Sequence, residues 1–308
     1  MHGLDGAAVS ALVDARFAAL RHTLGPRLRP GFDALLARQR WGAAAPGWYT
    51  APESQPILVL VLQVAEALGD AVPRSAVQDA LEAAMLGYAF VRVQDDWLDD
   101  GLLATDPETT ALLADALLVH HQAATARAVG GGDPAYWDLF ARTWTGYGEA
   151  MLLERELLRG PAAGAPPYDA AAFEAVLLRS RPMVLPPAAL LARAHHLSRL
   201  GALERVVHEA ARAAQLLDDA LDVLSDFDAG AMNHLVQRFG GLHGRQALCA
   251  GWVLGGFATV WEEADAALQA ALHAADEVGI SGPFGRFVAA RRAVMDRVRE
   301  AAWAAVTR

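Results

Sequence analysis

Gln215-Leu216-Leu217-Asp218-Asp219-Ala220-Leu221-Asp222-Val223-Leu224-Ser225-Asp226-Phe227-Asp228 is the stretch from which the rest of the chain is best read. Its leucines recur at helical spacing, while Asp218, Asp222 and Asp226 fall at i, i+4 and i+8 and share one side of the helix. Gln94-Asp95-Asp96-Trp97-Leu98-Asp99-Asp100-Gly101 has the same character and follows the apolar run Ala83-Ala84-Met85-Leu86-Gly87-Tyr88-Ala89-Phe90-Val91. There Asp95 stacks with Asp99, and Asp96 with Asp100, at a helix C-terminal end where the macrodipole disfavours negative charge. Each like-charged i, i+4 pair costs about 0.2–0.5 kcal/mol when exposed, and desolvation raises that cost. Both stretches contain Asp-Asp-x-x-Asp with a glutamine upstream, and neither has an arginine at i+4 to make a salt-bridged surface.

The remainder of the 308-residue chain is consistent with a large helical core. Hydrophobic residues make up 54% and charged residues 20%, too apolar for disorder. Alanine and leucine dominate, β-branched alternation is scarce, and helices are predicted near 6–24, 31–40, 54–69, 73–100, 107–129, 134–159, 169–199, 201–225, 230–239, 242–276 and 282–306. No break is long or polar enough for an interdomain linker. The expected architecture is a single all-α helical bundle over residues 1–308. One helix carries its own interruption: Arg179-Ser180-Arg181-Pro182-Met183-Val184-Leu185-Pro186-Pro187 puts three prolines into a helical pattern. It reads either as a plain loop or as a broken helix lining a pocket with two arginines beside it.

Composition excludes several chemistries. All 26 basic residues are arginine, so lysine Schiff bases and Walker-type phosphate loops are excluded. Cys249 is the only cysteine, which excludes an intramolecular disulfide and a cysteine-based zinc or iron–sulfur site. A net charge of −10 argues against a nucleic-acid partner. The uncharged stretch 247–261 is shorter than the roughly 20 apolar residues of a membrane span, and no signal peptide is read at the N-terminus, so no integral membrane segment and a cytoplasmic location are expected. A carboxylate-bridged di-iron bundle needs Glu-x-x-His pairs; Glu204 and His208 are four apart, and His120-His121 and His195-His196 lack an acid at the right offset. Either acidic run alone reads as a solvated face. Two runs with one spacing, each in an apolar helix, point instead to hard divalent cations, whose oxygen shell a substrate phosphate completes.

The paired motifs resemble those of the trans-isoprenyl diphosphate synthases and of the class I terpenoid synthases that share their fold. The resemblance covers roughly residues 50 to 240. It implies an isoprenoid-synthase bundle with a central apolar cavity, about three Mg²⁺ per active site, a prenyl diphosphate substrate and a homodimer. Asp95, Asp96 and Asp99 match the first motif; Gln215, Asp218, Asp219 and Asp222 match the second, with Asp226 extending its metal site. Arg179 and Arg181, with Gln215, would contact diphosphate, and Tyr88, Phe90 and Val91 would line the cavity.

The departures set the expected reaction. Where chain-elongating members carry a cationic segment for isopentenyl diphosphate, this chain reads Ala51-Pro52-Glu53-Ser54-Gln55-Pro56, and Gly101-Leu102-Leu103-Ala104 stands where an arginine pair normally follows the first motif. The expectation is therefore metal-dependent ionisation of one allylic diphosphate followed by cyclisation or quenching. The alternatives are a prenyltransferase, by chain elongation or with an unusual acceptor, and a non-catalytic partner subunit of a prenyl diphosphate synthase.

Overall fold

The computed structural model describes residues 6–39, 57–99, 107–159, 164, 166–231 and 233–306, with the backbone alone at 6, 57, 96–99, 298 and 301–306. Among the described residues every regular element is helical: α1 (Gly6–Thr23), α2 (Arg29–Arg38), α3 (Ile57–Leu68), α4 (Arg74–Asp99), α5 (Pro107–Val129), α6 (Pro134–Leu158), α7 (Ala170–Val176), α8 (Leu185–Arg193), α9 (Leu200–Ala229), α10 (His234–Arg238), α11 (Arg245–Gly251), α12 (Phe257–Val278) and α13 (Ser281–Val306). The all-α expectation holds. The chain divides into two compact units, Met1–Leu139 with Met183–Leu200, and Phe140–Pro182 with Gly201–Arg308.

In the first unit α4 lies along α5, and α3, α4 and α5 all pack on α8. The reason is visible in their patterns. On α5 the buried residues Leu113, Leu117, His121, Ala124 and Ala128 follow helical spacing. The short α8 is buried from Leu185 to Ala192 on every side, as a helix apolar all round must be. Tyr136, fully buried, donates its hydroxyl to the Leu185 carbonyl at 3.0 Å. His121 is also buried, with Nδ1 2.7 Å from the Ala83 carbonyl, and burial pushes its pKa down to about 4. Gly87 on α4 permits that approach, because a Cβ there would stand 3.0 Å from the imidazole.

Two predicted helices are interrupted. The 169–199 segment is α7, a 3₁₀ stretch over Leu177–Val184 and then α8. Pro182 has no N–H for an α-helical bond, whereas Pro186 and Pro187 fall in the first turn of α8, where the missing donors are not needed. Residues 170–193 are long and apolar enough to cross a membrane by length and composition, but 67% of an 18-residue window within them is buried inside the protein, as for a core helix. The 242–276 segment divides at a π-turn over Trp252–Gly256. It lies against Phe239: a Cβ on Gly251 would come within 2.5 Å of the Phe239 carbonyl oxygen, and one on Gly256 within 2.9 Å of its ring. The aliphatic core of the second unit also holds an aromatic cluster, with Phe257 stacked on Trp261 at 4.4 Å and the Trp261 indole N–H donating to the Met295 carbonyl.

Candidate active site

The second acidic stretch occupies the C-terminal half of α9, which runs to Ala229, one turn beyond its predicted end. Asp219 faces the protein interior and is 5% exposed, whereas Asp218 and Asp222 are exposed and Asp226 is half-buried. The apolar positions decide this. Leu216, Ala220 and Val223 are the buried face, and Asp219 lies within that arc.

A buried carboxylate requires partners, and a chain of side chains supplies them on one side. Glu154 of α6 accepts a hydrogen bond from Arg179 Nη1, and Arg179 Nη2 donates to the Gln215 side-chain oxygen. Gln215 Nε2 then donates to Asp219 Oδ1 at 2.7 Å. The other carboxylate oxygen, Oδ2, is buried with no hydrogen-bond partner. Burial raises the Asp219 pKa to about 7; the Gln215 donation and Arg179 pull it down, and Asp218 and Asp226 push it further up. Asp218, exposed as a residue, is raised too, first by desolvation of its carboxyl against the surrounding protein and next by Asp222, with Arg179 opposing.

Asn233 organises the far end of the ladder. Its Nδ2 donates to Asp226 Oδ2 at 2.7 Å and to the Asp219 carbonyl at 3.2 Å, and its Oδ1 accepts from Val236 N at 2.8 Å as the N-cap of α10. Burial raises Asp226, and the Asn233 donation partly offsets this. Tyr168 lies close enough to feel these charges. Its phenol is raised by burial and then by Asp219 and Glu154, with Arg179 opposing, and its backbone is tied to Gln237 and His234.

The first stretch ends α4. Asp95 is partly exposed and pairs at 3.1 Å with Arg92, three residues earlier on the same helix. No arginine stands four residues after an acid of either motif; Arg92 instead precedes the first motif by three residues. The side chains of Asp96 and Asp99, the whole of Asp100 and the segments 51–56 and 101–104 lie outside the described residues. Of the expected cavity residues, Phe90 is buried, and Tyr88 and Val91 are half-buried. Arg181 is exposed while Arg179 is drawn into the network. Glu154, Asn233 and Tyr168 were not singled out in the sequence. Glu154 stands in Leu153-Glu154-Arg155-Glu156, which reads as an ordinary solvated turn.

Among the described residues no three acidic, histidine or cysteine side chains gather tightly enough to hold a metal. The donor set is nevertheless all oxygen, and Asp219 Oδ2 is buried with no hydrogen-bond partner from the chain, which suits a hard divalent cation rather than a thiophilic one. His208 is committed elsewhere, with Nε2 3.1 Å from Glu174.

The fold is that of the trans-isoprenyl diphosphate synthases. No protein-family model matches the sequence, and neither does any curated protein. Among solved structures the chain is similar to a geranylgeranyl pyrophosphate synthetase from the archaeon Geoglobus acetivorans, with a TM-score of 0.65 and 14% identity over 92% of this chain and 99% of that one. It is similar also to a geranyltranstransferase from Thermotoga maritima, with a TM-score of 0.57 and 15% identity over 94% of this chain and 99% of that one.

Proposed function

We propose that the chain acts as one isoprenoid-synthase domain that ionises an allylic prenyl diphosphate and transfers the prenyl group to an acceptor, in the cytoplasm and as a homodimer. The observation that carries this reading is the buried, unpartnered Asp219 Oδ2 inside an aspartate ladder, on a fold whose similar structures bear the names of prenyltransferases. Those names favour transfer over the cyclisation expected from the sequence. Cyclisation or quenching remains the second reading, because Glu53 and its neighbours carry no cation for a second diphosphate.

In this proposal Mg²⁺ would be held by Asp95, Asp96 and Asp99 and by Asp218, Asp219 and Asp222, with Asp226 extending the second set. When bound, it would neutralise the charge that develops on the leaving diphosphate. Gln215 holds Asp219 Oδ1, leaving Oδ2 for the ligand. The exposed Arg181 is the freer of the two arginines to meet diphosphate, and Arg179 adds positive charge behind Gln215. The C–O bond of the allylic diphosphate breaks with both electrons leaving on oxygen. Tyr88, Phe90 and Val91 would give the resulting cation an apolar wall with aromatic faces.

The deciding experiment supplies purified protein with Mg²⁺ and each of the C10, C15, C20 and C25 prenyl diphosphates, with and without isopentenyl diphosphate, and reads diphosphate release and organic products. Elongated diphosphates made only with isopentenyl diphosphate establish transfer. Diphosphate release from the allylic substrate alone, giving hydrocarbons or alcohols, establishes the second reading. Absence of turnover under all conditions leaves a non-catalytic partner subunit.

A further inference from the structure

The side chains behind Asp219 come from three separate elements: α6, the 3₁₀ stretch 177–184 and α9. Glu154 is 14% exposed and Arg179 32% exposed, so their ion pair is only partly screened by water. A guanidinium is a rigid planar fork. With Nη1 fixed on Glu154, the direction of Nη2 is fixed as well, and it points at the Gln215 oxygen.

That contact sets the sense of the Gln215 amide. One end of an amide only accepts and the other only donates. With its oxygen receiving Arg179, Gln215 must turn its nitrogen to Asp219 Oδ1. Without Arg179 the amide oxygen loses its donor and the amide is held by Asp219 Oδ1 alone, so the direction of its nitrogen is less firmly fixed. A plain ion pair pinning α6 to the 3₁₀ stretch would end at Arg179; here the contacts continue to the one buried acid of the ladder.

We propose that Glu154 is a positioning residue: by anchoring Arg179 it fixes the orientation of Gln215 and so decides which Asp219 oxygen is presented to cation and diphosphate. The role rests on the diphosphate-binding reading above, but its first test needs no ligand.

In the free protein, the side-chain amide resonances of Gln215, assigned by their loss in Gln215→Ala, should shift in the near-isosteric Glu154→Gln. Binding of Mn²⁺ with inorganic pyrophosphate, followed by electron paramagnetic resonance, should weaken about tenfold in Glu154→Gln. The same substitution should cause little further loss in a Gln215→Ala background. With prenyl diphosphate the loss should fall more on KM than on kcat. Unmoved Gln215 resonances, an equal loss of Mn²⁺ binding in both backgrounds, or a lowered unfolding midpoint with unchanged Mn²⁺ binding would each overturn the proposal. If both shift and coupling are seen but no prenyl diphosphate is turned over, the proposed function fails and the positioning role stands. Turnover with Glu154→Gln unchanged in every readout has the reverse meaning. If the wild type does not bind Mn²⁺ with pyrophosphate, both fall.

Discussion

The two Asp-Asp-x-x-Asp helices share a sequence pattern and differ in how the protein holds them. Asp95, at the end of α4, is partly exposed and answered by an arginine one turn back on its own helix. Asp219, in the C-terminal half of α9, is buried and answered by a relay through Gln215 and Arg179 to Glu154. A locally neutralised acid costs the fold little. A buried one with an oxygen unpartnered by the chain costs the fold free energy that a bound cation or a proton offsets. Sequence spacing sets the pattern of acids; the packing of the helix decides which acid carries that cost.

The sharpest way to break this comparison is to neutralise each acid in turn. Asp95→Asn and Asp219→Asn should both reduce diphosphate release by about a thousandfold or more, the scale of losing a principal electrostatic stabiliser. Their effects on stability should separate. With a folded pKa of about 7 against an ordinary 3.8, the Asp219 carboxyl binds its proton more tightly in the folded state. Its contribution is fully present below pH 3.8 and is lost as pH rises through 7. Metal-free Asp219→Asn should therefore be more stable than wild type at pH 8, by up to about 4 kcal/mol, while Asp95→Asn should change stability by about 0.5 kcal/mol or less. Urea unfolding at pH 8 in the presence of chelator measures both, and equal stabilities would end the distinction.

His121 supplies a control in the first unit with the opposite sign. Burial holds its folded pKa near 4, below the ordinary 6.5. The stability it contributes is present above pH 6.5 and is lost as pH falls towards 4, by about 3 kcal/mol in total. Urea unfolding of wild type and His121→Asn between pH 7 and 4 should show the steeper loss in wild type.

Asn233→Ala tests whether the far end of the ladder is held as firmly as the relay end. The change removes an N-cap, one buried donation and one part-buried donation together. A loss of about 2 kcal/mol is expected by thermal or urea unfolding. Asn233→Asp, which keeps the cap acceptor but faces Asp226 with like charge, should be no better than Ala. The smallest effect belongs to Arg92→Gln, expected to cost about 0.5 kcal/mol or less because its pair with Asp95 is an i, i+3 contact on a partly exposed helix end. A larger loss by the same measurement would show that the first motif too depends on structure behind it.

Much of this was legible in the residues. The helical periodicity, the proline interruption near 182–187 and the paired acidic spacing are local properties, and a helix at fixed pitch places i, i+4 and i+8 on one side wherever it occurs. Glu154 was not legible. It lies 25 residues from Arg179, and Gln215 a further 36 along, and no local rule links a charge in a mixed Glu-Arg-Glu turn to either. Asn233 could have been suspected as a cap ahead of His234-Leu235-Val236, but not as the donor that bonds Asp226. Burial of Asp219 rather than Asp218 depended on which side of α9 met its neighbours.

The sequence by itself determined that this chain is helical and lysine-free, and that it carries two aspartate motifs suited to a hard cation, because pitch and side-chain chemistry are written residue by residue. Only the tertiary structure decided which aspartate is buried and which glutamate and arginine stand behind it, because desolvation and hydrogen bonds between distant segments exist only once the helices have packed.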